Sequence, residues 1–239
     1  MDWEVHVSGP QSILDELVYA FDDGDITLTR VGDQFVLRSR TLQNLADSAA
    51  VRSEAERIVE ALSGISRVLL QSDRPLNVAS LAEVRADGTR NIFVQVEPAV
   101  LRVGAGLVSV VVTHSDGRIE EHRPSDPAPI WLGRALSDAA TARALRLRDA
   151  GHLSWTDLYR LYEVIEAGAG GADGILAKDW ISRSQLRRFK HSANSVSAAG
   201  DQARHGVETT QPPADAMTLS EARSLIDILL GRWLGSGAV

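Results

Sequence analysis

The spacing of apolar residues changes at a proline cluster near the middle of the chain, and this change constrains the fold more than any other feature. Before the cluster, short stretches alternate between apolar and polar residues, as strands do, and two helical stretches lie among them. After it, only the helical period of about 3.6 residues recurs. The three prolines within 124–129 are typical of a linker. We therefore predict an α+β protein with one domain at 1–123, a proline-rich linker at 124–130 and a second domain at 131–239.

The N-terminal domain is predicted to be a mostly antiparallel sheet with two helices. Apolar stripes at helical spacing place one helix after Pro10 and a second over about 47–63. Turn residues such as Gly32-Asp33 separate the alternating stretches, which together predict about six to eight strands. The clearest strands are expected at 3–7, 26–30, 34–39 and 107–113, and the last of these is expected to be buried on both faces.

Charge is distributed unevenly between the two halves of the sequence. Residues 1–130 carry 12 basic and 20 acidic side chains, whereas residues 131–239 carry 13 basic and 12 acidic ones. A negative field repels phosphates, so the first half is not expected to bind nucleic acid. We interpret it as an acidic sensor or interaction domain.

The part after the linker predicts a small bundle of about four or five helices. A first helix is expected over 132–150. Two later helices are expected to begin at capping boxes, Ser154 with Asp157 and Thr218 with Glu221, because each pairs a hydroxyl with a carboxylate one helical turn later. The residues expected to form the core of the bundle include Leu161, Ile165, Leu225, Leu229 and Trp233.

Several kinds of chemistry are excluded or disfavoured by what the sequence lacks. It has no cysteine, which excludes disulfides, thiol catalysis and cysteine-ligated metals. Its histidines show no metal-ligand spacing, so we predict no metal site and no cofactor. The glycine run 168–174 follows a helix rather than a strand, and we interpret it as a connector, not a phosphate loop. No apolar run reaches the roughly 18 residues that cross a membrane, and a cytoplasmic location is expected.

The densest positive charge in the sequence lies within residues 178–206. A capping box at 182–185 predicts a helix start. This helix is expected to carry Arg187, Lys190 and His191 as phosphate- or RNA-binding residues, because cationic side chains hold phosphate oxygens. The alternative is that these residues form an ordinary solvated face.

A candidate catalytic group follows the same helix. Asn194 lies near its end, and Arg204 with His205 comes after a loop. Histidine moves a proton near neutral pH, and a neighbouring arginine would hold a phosphodiester in place. The prediction requires the loop to fold back so that these three residues converge. The alternative is that Arg204 and His205 only complement the end of a helix.

Four segments of the C-terminal part carry a family resemblance: WTDLYRLYEVIEA, FKHSAN, ARHG and AMTLSEARSLIDILLGRWL. They resemble a recurrent bacterial protein family and, more distantly, the HEPN superfamily of small helical bundles. The residues that match the outline of its Arg/Asn–His motif are Asn194, His205-Gly206 and Glu221-Ala222, with Arg204 or Arg187 as the arginine. The resemblance implies either a metal-independent ribonuclease, often dimeric, or an inactive scaffold in a defence or toxin system. The sequence departs from the catalytic pattern because Arg204 directly precedes His205 instead of lying several residues before it.

Two functions remain open from the sequence. The first is a non-catalytic interaction or scaffold protein, in which the sheet domain recognises a protein partner and the HEPN-like bundle forms a homodimer. The second is a ribonuclease with His205 as general acid and base, Arg204 and Arg187 on phosphate, and Asn194 as a positioning group. RNA binding is expected at 178–206 if the second holds. The irregular motif spacing favours the first.

Overall fold

The computed structural model describes residues 2–85, 89–94, 110–113, 119–207, 211 and 213–236. The chain divides into two compact units, residues 1–137 and residues 138–239. The first unit combines an antiparallel sheet with helices, and the described residues of the second are helical without any strand. The predicted α+β fold class is therefore confirmed. No helix in the described part of the chain is both long enough and apolar enough to cross a bilayer.

The sheet of the first unit has five antiparallel strands in the order β2-β3-β1-β4-β5. Their bounds are β1 (Asp2–Ser8), β2 (Ile26–Val31), β3 (Gln34–Ser39), β4 (Asn77–Val84) and β5 (Arg90–Val94). A separate hairpin consists of β6 (Val110–Thr113) and β7 (Ile119–His122). The strand predicted at 107–113 thus coincides in part with β6, while residues 107–109 and the predicted burial of the strand lie outside what the structure describes.

The core of the first unit lies between one face of this sheet and its helices. Val5 is paired with Leu37 on one side and with Leu81 on the other, and all three side chains are fully buried. The helices are α1 (Gln11–Ala20), α2 (Arg40–Gln43), α3 (Ser48–Leu69) and α4 (Ala128–Ser137). The alternation of strand residues explains this layering, because the residues that share a face with Val5 are mostly apolar.

The proline cluster leads directly into α4, which packs on α3. Pro129 stands in the first turn of α4, where its missing N–H breaks no hydrogen bond. Ser125 is fully buried, and its hydroxyl donates to Glu16 Oε1 over 2.8 Å. Trp131 and Leu132 are buried as well. The division between the units therefore falls after Ser137, one helix later than the prolines, because α4 is held by packing on the first unit.

The second unit contains six helices among its described residues and a short 3-10 turn at Gly200–Gln202. The helices are α5 (Ala139–Asp149), α6 (Trp155–Ala169), α7 (Ala172–Ala177), α8 (Arg183–Asn194), α9 (Val196–Ala199) and α10 (Leu219–Gly235). The capping boxes expected at the starts of α6, α8 and α10 are all present. The single helix predicted over 132–150 is wrong, because the Asp138 side chain accepts hydrogen bonds from Ala140 N and Thr141 N and begins a new helix there.

The core of the second unit is built mainly where α6 meets α10 and α5. The side chains predicted to lie there are buried, with exposed fractions no greater than the 6% of Leu225. Most of the glycine run lies within helices, because α6 extends to Ala169, Gly170 caps it with a left-handed backbone (φ 85°), and α7 begins at Ala172. Within α6, a Cβ at Gly168 would lie 2.7 Å from Trp233 Cζ2. This glycine therefore lets α10 approach α6 closely.

Candidate functional site

The basic segment of the sequence is carried by α8 and by the short turns that follow it. The inner face of α8 buries Leu186, Phe189 and Ala193, which accounts for its orientation. Arg183 and Arg187 stand on the outer face, and neither side chain makes a hydrogen bond or ion pair with any residue that the structure describes. Of the residues expected to bind phosphate, Arg187 is therefore exposed and available.

Arg188, which was not among the predicted site residues, is a structural clamp. Its guanidinium donates to Asp215 O and Ala216 O, each over 3.1 Å, and forms an ion pair with Glu221 over the same distance. Glu221 is the acidic member of the capping box of α10. Arg188 therefore links α8 to the start of α10 and contributes little free positive charge.

Lys190 is held in a similar way by α6. Its Nζ lies 3.0 Å from Glu166 Oε1 and 4.8 Å from the ring centroid of Tyr162. The Tyr162 hydroxyl donates to the same oxygen of Glu166 over 2.5 Å. The pKa of Tyr162 is raised, first by burial and then by this hydrogen bond to a carboxylate. Lys190 is thus neutralised by a partner, although it was expected to bind phosphate.

The side chain of Arg204 is also held by contacts with α6. Its Nη2 donates to Glu163 Oε1 over 2.9 Å, and its Cζ lies 4.3 Å from the ring centroid of Tyr159. Its backbone N–H donates to Ala193 O over 2.9 Å. The loop after α8 therefore folds back as the candidate site required, and it brings the backbone of Arg204 next to the residue before Asn194.

The remaining predicted residues are not joined into one cluster. His191 Nε2 lies 2.9 Å from Gln211 O, and His205 is exposed without a hydrogen bond to any described residue. Asn194 Oδ1 is buried and has no hydrogen-bond partner in the described part of the chain. Within those limits, no hydrogen bond joins the side chains of Asn194, Arg204 and His205 to one another.

The acidic and aromatic side chains of α6 are what the sequence analysis missed. Two tyrosine–glutamate pairs on α6 each contact one cationic side chain of the basic segment. The pairs are Tyr159 with Glu163, and Tyr162 with Glu166. The signal for them is present in the sequence LYRLYEVIE, because each tyrosine precedes a glutamate by four residues and so lies beside it on the helix. The partners of these pairs are distant in sequence, which is why the pattern alone could not assign them.

The capping box of α10 contains a carboxylate whose charged form is favoured by its hydrogen bonds. The pKa of Glu221 is lowered from its ordinary value of 4.5 to about 2, chiefly by the Thr218 backbone N–H and then by Arg188. A carboxylate with a depressed pKa stabilises the folded state fully above its unfolded value and loses that contribution as pH falls through the folded one.

We therefore expect the free energy of unfolding to fall as the pH is lowered from 4.5 to about 2. In the Glu221→Gln variant, the free energy of unfolding should depend less on pH over this range. Urea unfolding at a series of pH values measures it, with the exposed Asp173→Asn as a control that keeps the slope of the wild type. Equal slopes in Glu221→Gln and wild type would contradict the assignment.

The first unit has an open groove of about 410 Å³ at one end of the sheet. Its charged lining residues are Asp2, Glu4, Asp25, Arg38 and Arg40. Arg38 pairs with the buried Glu4 over 2.5 Å, and Arg40 pairs with Asp25 over 3.0 Å. Both arginines of the groove are therefore compensated by neighbouring carboxylates.

In the part of the chain that the structure describes, no group of three or more histidine, aspartate or glutamate side chains is placed to hold a metal ion. Within the basic segment, the side chains of Arg183, Arg187 and His205 are exposed, and Oδ1 of Asn194 is buried. Comparison of the chain with protein-family models, with curated proteins and with solved structures gives no match.

Proposed function

We propose that the protein is a non-catalytic interaction or scaffold protein, with a HEPN-like helical unit that forms a homodimer and a sheet unit that recognises a protein partner. Its place in a bacterial defence or toxin system is part of the same proposal. The observation that carries it is that Lys190 and Arg204 are already committed to carboxylates of α6.

The ion pairs argue against catalysis for a simple electrostatic reason. A phosphodiester that approached Arg204 would have to displace Glu163, and both charges would compete for the same guanidinium. A general acid also needs a group that orients it, and His205 has no such partner among the described residues. Both features are compatible with a scaffold, which needs neither.

Exposed apolar side chains supply the surfaces that an interaction protein needs. In the sheet unit, β5 is an edge among the described strands, with Ile92 61% exposed and Phe93 39% exposed. Edge strands with apolar side chains are the usual templates for pairing with another chain. In the helical unit, Ile228 on α10 is 50% exposed.

The proposal predicts that two variants will behave differently in sedimentation. Wild-type protein is expected to form a dimer whose population rises with concentration. Ile228→Glu should shift it towards monomer, because a carboxylate would enter the contact, whereas Ile92→Lys should leave the dimer intact. A wild-type protein that stays monomeric at all concentrations, or one that only Ile92→Lys dissociates, would contradict the assignment of dimerisation to the helical unit.

A metal-independent ribonuclease is the second candidate, and the folding back of the loop favours it. Arg204 N bonds to Ala193 O, so the two parts of the proposed motif are neighbours in space although a loop separates them. In this case RNA should be cleaved in the presence of a metal chelator, and His205→Ala should abolish cleavage without changing the free energy of unfolding. Under the first proposal, wild-type protein does not cleave RNA.

A further inference from the structure

Helix α6 presents two similar cation-binding pairs. Tyr159 lies four residues before Glu163, and Tyr162 lies four residues before Glu166. In each pair a cation stands over the ring and contacts the carboxylate: Arg204 in the first and Lys190 in the second. Aromatic faces attract cations, and a carboxylate one helical turn away completes the site. The two pairs differ in how their cations are supplied.

The cation of the second pair comes from a long helix, whereas the cation of the first pair comes from a short segment. Tyr162 is fully buried, and Lys190 projects from the middle of α8. Arg204 instead belongs to the strap, which we define as residues 196–206. Neither α9 nor the 3-10 turn within the strap has a buried residue.

The contacts between the strap and α6 are made by two of its residues among those that the structure describes. Arg204 contacts Glu163 and Tyr159, and Gln202 O accepts a hydrogen bond from Thr156 Oγ1 over 3.2 Å. Gly200 within it has a positive φ of 60°, a conformation that glycine adopts without strain. Segments with few buried contacts open before the rest of a fold does. Opening of the strap would uncover Tyr159, which is only 8% exposed beneath Arg204.

We propose that Tyr159 and Glu163 form an arginine-binding socket, which Arg204 occupies in the same chain and which takes an arginine side chain of a protein partner when the strap opens. The shape and hydrogen-bond donors of a guanidinium suit this pair of side chains. A guanidinium is flat, so it stacks on the tyrosine ring and still donates to the carboxylate at its edge. Tyr159 is held for this role because it also stacks on Phe189, with ring centroids 6.0 Å apart and planes inclined by 17°.

Arg204 acts in this arrangement as a built-in competitor. A side chain tethered by a short segment competes at an effective concentration on the order of millimolar. A free arginine compound should therefore bind weakly to the wild type and more strongly once Arg204 is removed. The socket lies in the helical unit, and its existence depends neither on the β5 edge nor on dimerisation through Ile228, so it goes beyond the function proposed above.

The test is a titration of the full chain with N-acetyl-arginine amide, followed by the NMR signals of the Tyr159 ring. The wild type should show little change, whereas Arg204→Ala should show saturable shifts with an affinity higher by about tenfold or more, as expected when a tethered competitor is lost. The matched control is the double variant Arg204→Ala/Glu163→Gln, which also lacks Arg204 and in addition replaces the carboxylate with an amide. N-acetyl-lysine amide serves as the ligand control.

Saturable binding of the arginine compound to Arg204→Ala, lost in the double variant and several-fold weaker for the lysine compound, would support the socket. Absence of binding to Arg204→Ala would overturn it, as would equal binding by the double variant. Arg204 and Glu163 have side chains that are 40% and 45% exposed, so these substitutions are expected to leave the fold intact. Unchanged backbone signals of α10 in each variant verify this.

Discussion

Replacing Leu229 with alanine is expected to lower the free energy of unfolding of the helical unit by about 2–5 kcal/mol, the usual range for truncating a packed aliphatic side chain. Leu229 is fully buried on α10, on the side that packs against α6. Its neighbours on the same helix include Trp233, whose ring leaves no space for a Cβ at Gly168. A tightly filled region of this kind relaxes poorly around a cavity, so the loss should lie in the upper half of the range.

Urea unfolding followed by far-ultraviolet circular dichroism measures this loss. Ser224→Ala is the matched control, because Ser224 lies on the same helix and is exposed. It should change the free energy of unfolding by less than about 0.5 kcal/mol, as surface substitutions do. A loss at Leu229 no larger than that at Ser224 would mean that α10 does not bury this face in solution.

Replacing Asp227 with alanine is expected to lower the same free energy by about 2–3 kcal/mol, between the values for exposed and for fully buried ion pairs. Arg148 of α5 donates to both carboxylate oxygens of Asp227, over 2.6 Å from Nε and 3.1 Å from Nη2. The two side chains are only 13% and 20% exposed. Removal of the carboxylate would leave a mostly buried guanidinium without its charged partner.

An exposed ion pair of the same unit gives the comparison for this prediction. Glu163→Ala breaks the pair with Arg204, whose members are 40% and 45% exposed, and should cost at most about 1 kcal/mol. Double-mutant cycles on Arg148 with Asp227 and on Arg204 with Glu163 separate the pair energies from other effects. Similar coupling energies in the two cycles would contradict the expectation that the more buried ion pair stabilises the fold more.

Features with local causes could be predicted from the sequence. The capping boxes at the starts of α6, α8 and α10 each need one hydroxyl and one polar side chain three residues later, and all are present. The buried stripe of α10 follows from the helical period in the same way. In these cases all the groups involved lie within a turn or two of one another.

Features that depend on distant partners could not be predicted. Arg204 and Lys190 were grouped by their charge, yet their ion-pair partners lie on α6, 41 and 24 residues away. Whether a basic side chain is free for phosphate depends on such contacts, which no spacing rule encodes. The packing of α4 on α3 is another example, because prolines that are typical of a linker are also tolerated at the first turn of a helix.

The position of α4 decides where the gene can be divided for separate expression of the two units. A cut at residue 131 would remove Trp131, Leu132 and Ala135 from the first unit, and with them the backbone carbonyl of Leu136 that accepts a hydrogen bond from Arg57. The apolar face of α3 would then meet water, and the shortened product would tend to aggregate. A cut after Ser137 keeps α4 whole and leaves Asp138 at the head of the other fragment, where its carboxylate still caps α5.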